Sequence, residues 1–297
     1  MIESEISEKP LLIQGLRVCL RGIGQVYLQR SAWAGALFLA AVAWQSRDWA
    51  VACALGTLAG SAWGYAFGDR GTWQDGLYGY NGALASIGVL WLLNPGPFVW
   101  VLVLMAGILT ASAVIFWQRL TRFPIYTAPF VVIIWLLMAL AGWLEWPNAT
   151  PAAPLVAPAD TNALFGVLRG VGQVMLLDNP ASGALCLLGL LLAGRKAAVT
   201  ALWATLLGWG TALLLGFPTD LQTLGLYGFN AVLAAEALRT RGPWWLVIAG
   251  ILLSTLLTRA LQLVGLPTLT APFVLVSWGL VLLASRRHPT PPQTPAY

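Results

Sequence analysis

Two copies of one short motif determine how this chain is organised: Phe123-Pro124-Ile125-Tyr126-Thr127-Ala128-Pro129-Phe130 and Leu266-Pro267-Thr268-Leu269-Thr270-Ala271-Pro272-Phe273. Each copy follows a long apolar run and opens another one, so each falls where two membrane segments meet. Proline withholds a backbone donor and opposes helix continuation, which leaves unsatisfied carbonyl groups beside the threonine hydroxyl. We therefore expect each copy to form a broken, polar position within the bilayer.

The composition is that of an integral membrane protein. Of the 297 residues, 59% are hydrophobic and 9% are charged, whereas a soluble domain has about 25% charged residues. The apolar runs are continuous rather than alternating, which favours spanning helices over barrel strands. The fold class is therefore an all-α membrane protein with the lipid bilayer as its partner. The net charge of +5 belongs mostly to loop arginines, so no nucleic-acid partner is expected.

The reactive side chains do not form a catalytic or metal-binding pattern. Cys19, Cys53 and Cys186 lie in separate apolar runs without C-x-x-C spacing, so neither a disulfide framework nor a metal site is indicated. The single histidine, His288, lies in the C-terminal tail, which leaves no histidine for a relay inside the bilayer. The apolar runs also lack a nucleophile and base facing one cavity. We expect no enzyme activity and no cofactor.

The chain contains an internal duplication, because several motifs recur in the same order at nearly constant offsets. The segment that ends in Gln25 recurs 148 positions later at Gln173, and Gly76-Leu77-Tyr78-Gly79-Tyr80-Asn81 recurs 149 positions later as Gly225-Leu226-Tyr227-Gly228-Phe229-Asn230. A proline-rich stretch separates the two copies. The predicted division is an N-terminal segment 1–10, a first repeat 11–145, a linker 146–160, a second repeat 161–286 and a tail 287–297.

Each repeat contains five apolar runs and one shorter run. In the first repeat these are 11–29, 32–46, 49–67, 97–118 and 127–144, with the short run at 77–94. In the second they are 161–178, 180–194, 197–216, 244–263 and 270–285, with the short run at 226–238. A short run bracketed by helix breakers is typical of a re-entrant half-helix rather than a span. We expect five transmembrane helices plus one re-entrant pore half-helix in each half.

An odd number of spans makes the second half enter the membrane from the opposite side, so the repeat is predicted to be inverted. With both termini in the cytoplasm, the inner connections carry Arg47, Arg119, Arg122, Arg239, Arg241, Arg286 and Arg287. Five basic residues fall outside in that arrangement, Arg30, Arg70, Arg195, Lys196 and Arg259, but the linker carries none. The balance favours cytoplasmic termini. Inverted repeats place a solute site near the midplane, where discontinuous helices converge.

Taken together, the paired P-x-x-T-x-P-F motifs, the twin G-Q-V segments and the twin G-L-Y-G-F/Y-N segments resemble those of the urea transporter family over about residues 14–278. The resemblance implies a bacterial member in the inner membrane, a homotrimer whose protomers each contain a narrow slot, and passive movement of urea. It implies that Thr127 and Thr270 face each other at the middle of the slot. It also implies that Gln25 and Gln173 flank the slot with side-chain oxygens. The apolar walls would be Tyr80, Leu84, Phe229 and Leu233.

The residues themselves support these roles but leave alternatives open. Urea is planar and rich in N–H donors, so a dehydrating slot needs a row of acceptors and flat apolar walls. We expect the carbonyls freed by Pro124, Pro129, Pro267 and Pro272 to contribute to that row. The threonines could instead cap helices, the glutamines could join helices by hydrogen bonds, and the aromatic side chains could serve packing alone.

Several polar residues outside this set are expected to be structural. Asn81 and Asn230 are interpreted as caps of the half-helices. Arg21 and Arg169 are expected either to snorkel to the interface or to pair there with an acid such as Asp69 or Asp220. Glu236 is also placed at the interface, because its first-half counterpart is Ile87.

The leading hypothesis is a passive urea channel. The alternatives are a channel for another small neutral solute, such as an amide, ammonia or water, and a coupled secondary transporter. An ammonium channel is disfavoured by the lack of an intramembrane histidine, and a water or glycerol channel by the lack of paired Asn-Pro-Ala motifs. A coupled transporter is disfavoured because acidic residues are missing deep in the predicted spans.

Overall fold

The structure, a computed structural model, describes residues 11–146 and 162–287, with side chains described as far as residue 284. The first part contains α1 Leu11–Gln25, α2 Ala32–Gln45, α3 Arg47–Phe67, α4 Arg70–Gln74, α5 Tyr80–Leu92, α6 Pro97–Leu120 and α7 Ala128–Trp143. The second contains α8 Ala163–Gly172, a 3₁₀ turn Gln173–Met175, α9 Pro180–Ala193, α10 Arg195–Leu214, α11 Thr219–Thr223, α12 Phe229–Leu238, α13 Trp244–Leu263 and α14 Ala271–Arg287. The predicted segment 1–10, and nearly all of the predicted linker 146–160 and tail 287–297, lie outside the described residues.

The helix lengths confirm a multi-pass helical membrane protein. Within residues 11–146 and 162–287, four helices, α3, α6, α10 and α13, are long and apolar enough to cross a membrane. A fifth crossing results if α8 with its 3₁₀ turn and α9 count as one span, bent by 71°. The other apolar helices have 10–17 residues, and a helix of that length covers at most about 26 Å of a hydrocarbon core of about 30 Å. The breaks between helices explain these short lengths.

The connections between α1 and α2 and between α8 and α9 contain corresponding breaks. Leu28 and Leu176 both adopt left-handed backbone conformations, with φ of 60° and 63°. The helices that follow are capped by Ser31 and Asn179, whose side chains accept backbone N–H bonds from the first turn. Although the two sequences differ here, both supply a cap at the same point, so both chains turn sharply and start a new helix.

The two short helices α5 and α12 form the centres of the two halves. All ten residues of α12 are buried, and so are twelve of the thirteen residues of α5. Helix α5 packs against α3, α6 and α7, whereas α12 packs against α10, α13 and α14. The halves meet mainly where α2 packs against α9, and also where α7 approaches α14. This arrangement brings the starts of α7 and α14, where the two motifs lie, to the junction of the halves.

Candidate functional site

The two threonines of the repeated motif meet at the junction of the halves. The hydroxyl oxygens of Thr127 and Thr270 lie 2.6 Å apart and share a hydrogen bond. Both side chains are buried, with 3% and 2% exposure. Each threonine directly precedes a proline-containing helix start, at α7 and α14. Two neutral hydroxyl groups, each able to donate and to accept, are therefore placed together in the interior of the protein.

A backbone turn immediately before each threonine produces this meeting. Tyr126 and Leu269 adopt left-handed conformations, with φ of 49° and 43°. L-residues adopt this region at a cost, so surrounding contacts must hold the turns in place. The turns direct the chain from a loop into the following helix and leave each threonine at the bend.

Two asparagines hold these turns against the short helices. The Asn81 side chain donates to the Tyr126 carbonyl at 3.1 Å and accepts from the Phe130 backbone N–H at 3.2 Å. The second half repeats both bonds between Asn230, the Leu269 carbonyl and the Phe273 N–H, each at 3.1 Å. The expectation that these asparagines cap the half-helices is wrong, because neither α5 nor α12 has a side-chain cap. Each amide instead bridges a short helix, α5 or α12, to a threonine turn.

Two of the carbonyl groups expected to form an acceptor row at the proline breaks already accept hydrogen bonds from tryptophan side chains. The Pro267 carbonyl accepts from Trp135 Nε1 at 2.9 Å, and the Pro124 carbonyl accepts from Trp278 Nε1 at 2.7 Å. Each tryptophan thus bonds to the motif of the opposite half. A carbonyl oxygen has two lone pairs and could accept a second donor, but these bonds give the two carbonyls a structural role that the sequence alone did not indicate.

The two glutamines are oriented by backbone carbonyls that precede the short helices. Gln25 Nε2 donates to the Asp75 carbonyl at 3.0 Å, and Gln173 Nε2 donates to the Leu224 carbonyl at the same distance. Both side chains are buried. These bonds hold each amide by its nitrogen, so the oxygen is the end of the group that can accept a donor from a solute.

The four predicted wall residues lie at the starts of the short helices and are buried. Tyr80 and Phe229 begin α5 and α12, and Leu84 and Leu233 follow one turn later on the same helix face. The Tyr80 hydroxyl donates to the Tyr126 carbonyl, the same oxygen that Asn81 contacts. This hydroxyl therefore serves the threonine turn.

The arginines beside the glutamines bond to backbone carbonyls rather than to acids. Arg21 Nη1 donates to the Gln74 carbonyl at 2.9 Å, and Arg169 Nη1 donates to the Thr223 carbonyl at 3.0 Å. Neither of these bonds is made to Asp69 or Asp220, the acids suggested from the sequence. Asp69 instead caps α4, where the backbone N–H of Thr72 donates to its carboxylate and lowers the pKa of Asp69.

A cavity of about 210 Å³ opens beside this site. Its lining comes from both halves and includes Gln25, Tyr80, Trp117, Phe123, Glu236 and Arg239. We call it the vestibule cavity. Because two of the predicted site residues line it, the vestibule cavity adjoins one end of the candidate site. Across residues 11–146 and 162–287, no three His, Cys, Asp or Glu side chains are grouped so that they could hold a metal ion.

The fold and the site define a multi-pass helical membrane protein with a buried, uncharged polar pair at the junction of its halves. The chain matches the family described as Urea transporter over residues 16–285, and it belongs to that family. This is a family of transport proteins rather than enzymes.

Individual relatives agree with this family. Urea transporter 1 of Mus musculus is 28% identical over 249 residues, which cover 78% of this chain and 65% of the mouse protein. Urea transporter 1 of Ovis aries is 28% identical over 307 residues, covering 95% of this chain and 80% of the sheep protein. The chain thus spans somewhat less than two thirds of the length of the mouse relative.

Proposed function

We propose that this protein is a passive channel that moves urea down its concentration gradient through a narrow, dehydrating slot. The observation that carries the proposal is the hydrogen-bonded pair Thr127–Thr270, in which two hydroxyls from the two halves meet at 2.6 Å in a buried position. Membership of the urea transporter family supports urea as the solute.

The site residues suit the chemistry of urea. Urea must exchange its hydrating water for acceptors along its edge and for apolar surfaces against its faces. In the proposed slot, the two threonine hydroxyls and the oxygens of Gln25 and Gln173 supply the acceptors. The rings of Tyr80 and Phe229, with Leu84 and Leu233 one turn further on, supply the walls. A passing urea molecule replaces the bond between the threonines with bonds to itself.

The same site disfavours ions. The predicted slot residues are all uncharged, and moving a bare ion into a dry environment without a compensating charge costs several kcal/mol or more. The helix starts at Tyr80 and Phe229 also present the positive ends of two short helices, which oppose cations. A neutral solute encounters neither penalty.

We also propose that the two halves form an inverted repeat, 11–145 and 161–286, each with five membrane-crossing segments and one re-entrant half-helix. The proposal is supported by hydrogen bonds that recur in both halves, such as those of Asn81 and Asn230. In this arrangement the short helices α2, α7, α9 and α14 cross the membrane together with the turns that precede them. Because the total number of crossings is even, both termini lie on the same side of the membrane, which we propose to be the cytoplasm. Separately, the family resemblance supports the proposal of a homotrimer of the inner membrane with one slot in each protomer.

Stopped-flow light scattering of proteoliposomes tests the function directly. With a urea gradient we expect rapid, saturable flux that is insensitive to pH, and with acetamide or glycerol we expect much slower flux. The same vesicles without protein provide the baseline. Urea flux equal to that baseline would exclude a urea channel, whereas acetamide flux equal to urea flux would indicate a general amide channel.

A further inference from the structure

One charged cluster lies beside the proposed slot without a role in it. The side chain of Glu236 is completely buried, although the sequence suggested an interfacial position. Its Oε2 accepts from Gln29 Nε2 and from Arg239 Nε, both at 2.8 Å. We call Gln29, Glu236 and Arg239 the polar triad. It joins the break between α1 and α2 to the end of α12, and so connects the first half to the second.

The duplication shows that the fold does not require polar residues at these positions. At the offsets that align the two halves, the counterparts of the polar triad are Leu177, Ile87 and Leu90. All three counterparts are buried apolar side chains in the main core. The same place in the other half is thus filled by hydrocarbon. Because burying a charged pair is costly even when it is paired, the polar triad is better explained by a function at one end of the molecule than by packing.

The position of the polar triad indicates what that function is. Glu236 and Arg239 both line the vestibule cavity, together with the slot residues Gln25 and Tyr80. The Arg239 side chain is 27% exposed, whereas that of Glu236 has no exposure. The arginine is therefore the member of the pair that a solute in the vestibule cavity can reach, and the glutamate holds it from behind.

The bonds within the polar triad leave donors suited to a carbonyl group. Glu236 takes the Nε hydrogen of Arg239, which leaves the N–H groups on Nη1 and Nη2 of a side chain whose direction is already held. Glu236 Oε1 is buried and has no hydrogen-bond partner among the described residues, so this carboxylate holds Arg239 rather than contacting the solute. A urea molecule carries a carbonyl acceptor that can receive these donors, and the aromatic residues Trp117 and Phe123 also line the cavity.

We propose that the vestibule cavity holds a capture site for urea, in which Arg239 donates to the urea carbonyl and Glu236 and Gln29 position Arg239. This inference rests on the proposed function. The capture site lies before the slot and uses a charged donor, whereas the slot itself is uncharged. Urea is concentrated at this end and presented with its carbonyl oxygen already fixed.

Equilibrium exchange of labelled urea across proteoliposome membranes tests the capture site, since equal urea on both sides loads both ends regardless of protein orientation. In the variant Arg239→Met we expect the urea concentration for half-maximal exchange to rise about tenfold, the loss expected for one hydrogen bond to a charged group. The maximal rate should stay within about twofold, because the slot is unchanged. Discrimination between urea and thiourea should also weaken, since sulfur is a poor acceptor for an arginine donor.

Two further variants separate binding from folding and from general charge. The triple variant Gln29→Leu, Glu236→Ile, Arg239→Leu copies the residues of the opposite half, so it should fold and should show the same rise in half-saturation. Arg241→Met removes another positive charge from the lining of the vestibule cavity and should leave half-saturation unchanged. If wild-type protein and both variants that lack Arg239 reach half-maximal exchange at the same urea concentration, the capture site is overturned, but the proposed urea channel is not. Wild-type vesicles without urea exchange would overturn the channel itself.

Discussion

Thr127 and Thr270 share a hydrogen bond of 2.6 Å although 143 positions separate them in the chain. If this pair replaces lost water for urea in transit, the variants Thr127→Val and Thr270→Val should each reduce urea flux about twofold to tenfold. That range corresponds to one uncharged hydrogen bond of about 0.5–1.5 kcal/mol. Valine closely matches threonine in size, so stopped-flow flux and size-exclusion profiles together distinguish a lost hydroxyl from a lost fold.

A matched control for the threonine variants lies in α6. Thr110 is fully buried, and its hydroxyl bonds to carbonyls within its own helix at 2.8 and 3.0 Å. Thr110→Val therefore removes a buried hydroxyl whose hydrogen bonds stay within α6 and should leave urea flux within about twofold of wild type. Normal flux in both motif variants would mean that the hydroxyls serve only the junction of the halves.

The asparagine bridges should stabilise the two halves to different degrees. In Asn81→Leu the Tyr126 carbonyl keeps the hydrogen bond from the Tyr80 hydroxyl. In Asn230→Leu the Leu269 carbonyl loses its side-chain donor, because phenylalanine stands at the position equivalent to Tyr80. An unpaired buried polar group costs about 1–3 kcal/mol, so Asn230→Leu should lower the thermal transition in detergent more than Asn81→Leu. Equal losses would show that the Tyr80 bond does not matter to the turn.

The duplication is the reason that much of this arrangement could be predicted from sequence. Matching offsets related Thr127 to Thr270 and Gln25 to Gln173, and the apolar runs predicted each long helix to within a few residues. The solute roles of these residues remain predictions. The order of the segments and the pairs of equivalent residues could thus be predicted from the sequence.

Contacts between segments distant in sequence could not be predicted in the same way. The bonds of Trp135 and Trp278 to opposite motifs depend on how the halves pack, and a tryptophan in an apolar run carries no sign of its partner. The prediction of an interfacial position for Glu236 was wrong because it was based only on the apolar counterpart Ile87. The difference between Glu236 and Ile87 is informative only together with the difference between Gln29 and Leu177, because Gln29 bonds to Glu236. Asymmetry between two copies is interpretable only after the neighbours in space are known.

The hydroxyl of Tyr80 is expected to be dispensable for transport. It donates to the Tyr126 carbonyl, and the second half carries Phe229 at the equivalent position. Tyr80→Phe keeps the ring, so urea flux should stay within about twofold, with a stability loss of about 1 kcal/mol. Combining it with Asn81→Leu removes both side-chain donors to one carbonyl, and the combined loss should exceed the sum of the single losses. A marked fall in flux for Tyr80→Phe alone would instead assign the hydroxyl to the solute.

Two glycines provide a final test of how the short helices are positioned. Gly76 and Gly225 precede α5 and α12 with φ of +81° and +77°. A Cβ atom would lie 2.4 Å from the Gly22 nitrogen at the first position and 2.3 Å from the Gly170 nitrogen at the second. Backbone cannot move aside as a side chain does, and the left-handed conformation adds about 1–3 kcal/mol for alanine. Both Gly→Ala variants should therefore give little folded protein in fluorescence-detected size exclusion.

Gly210 in α10 is the control, because alanine is expected to raise stability at this position rather than lower it. No atom lies within 4 Å of the position that its Cβ would occupy, and the residue is within a regular helix. Gly210→Ala should therefore raise stability by about 0.4–1 kcal/mol, because alanine reduces the freedom of the unfolded chain. If the Gly76 variant instead folds and conducts as well as the Gly210 variant, the approach between α1 and the turn before α5 is looser than its distances indicate. In that case Gln25, which bonds to the carbonyl of Asp75 in the same turn, could not be held rigidly enough to align a solute.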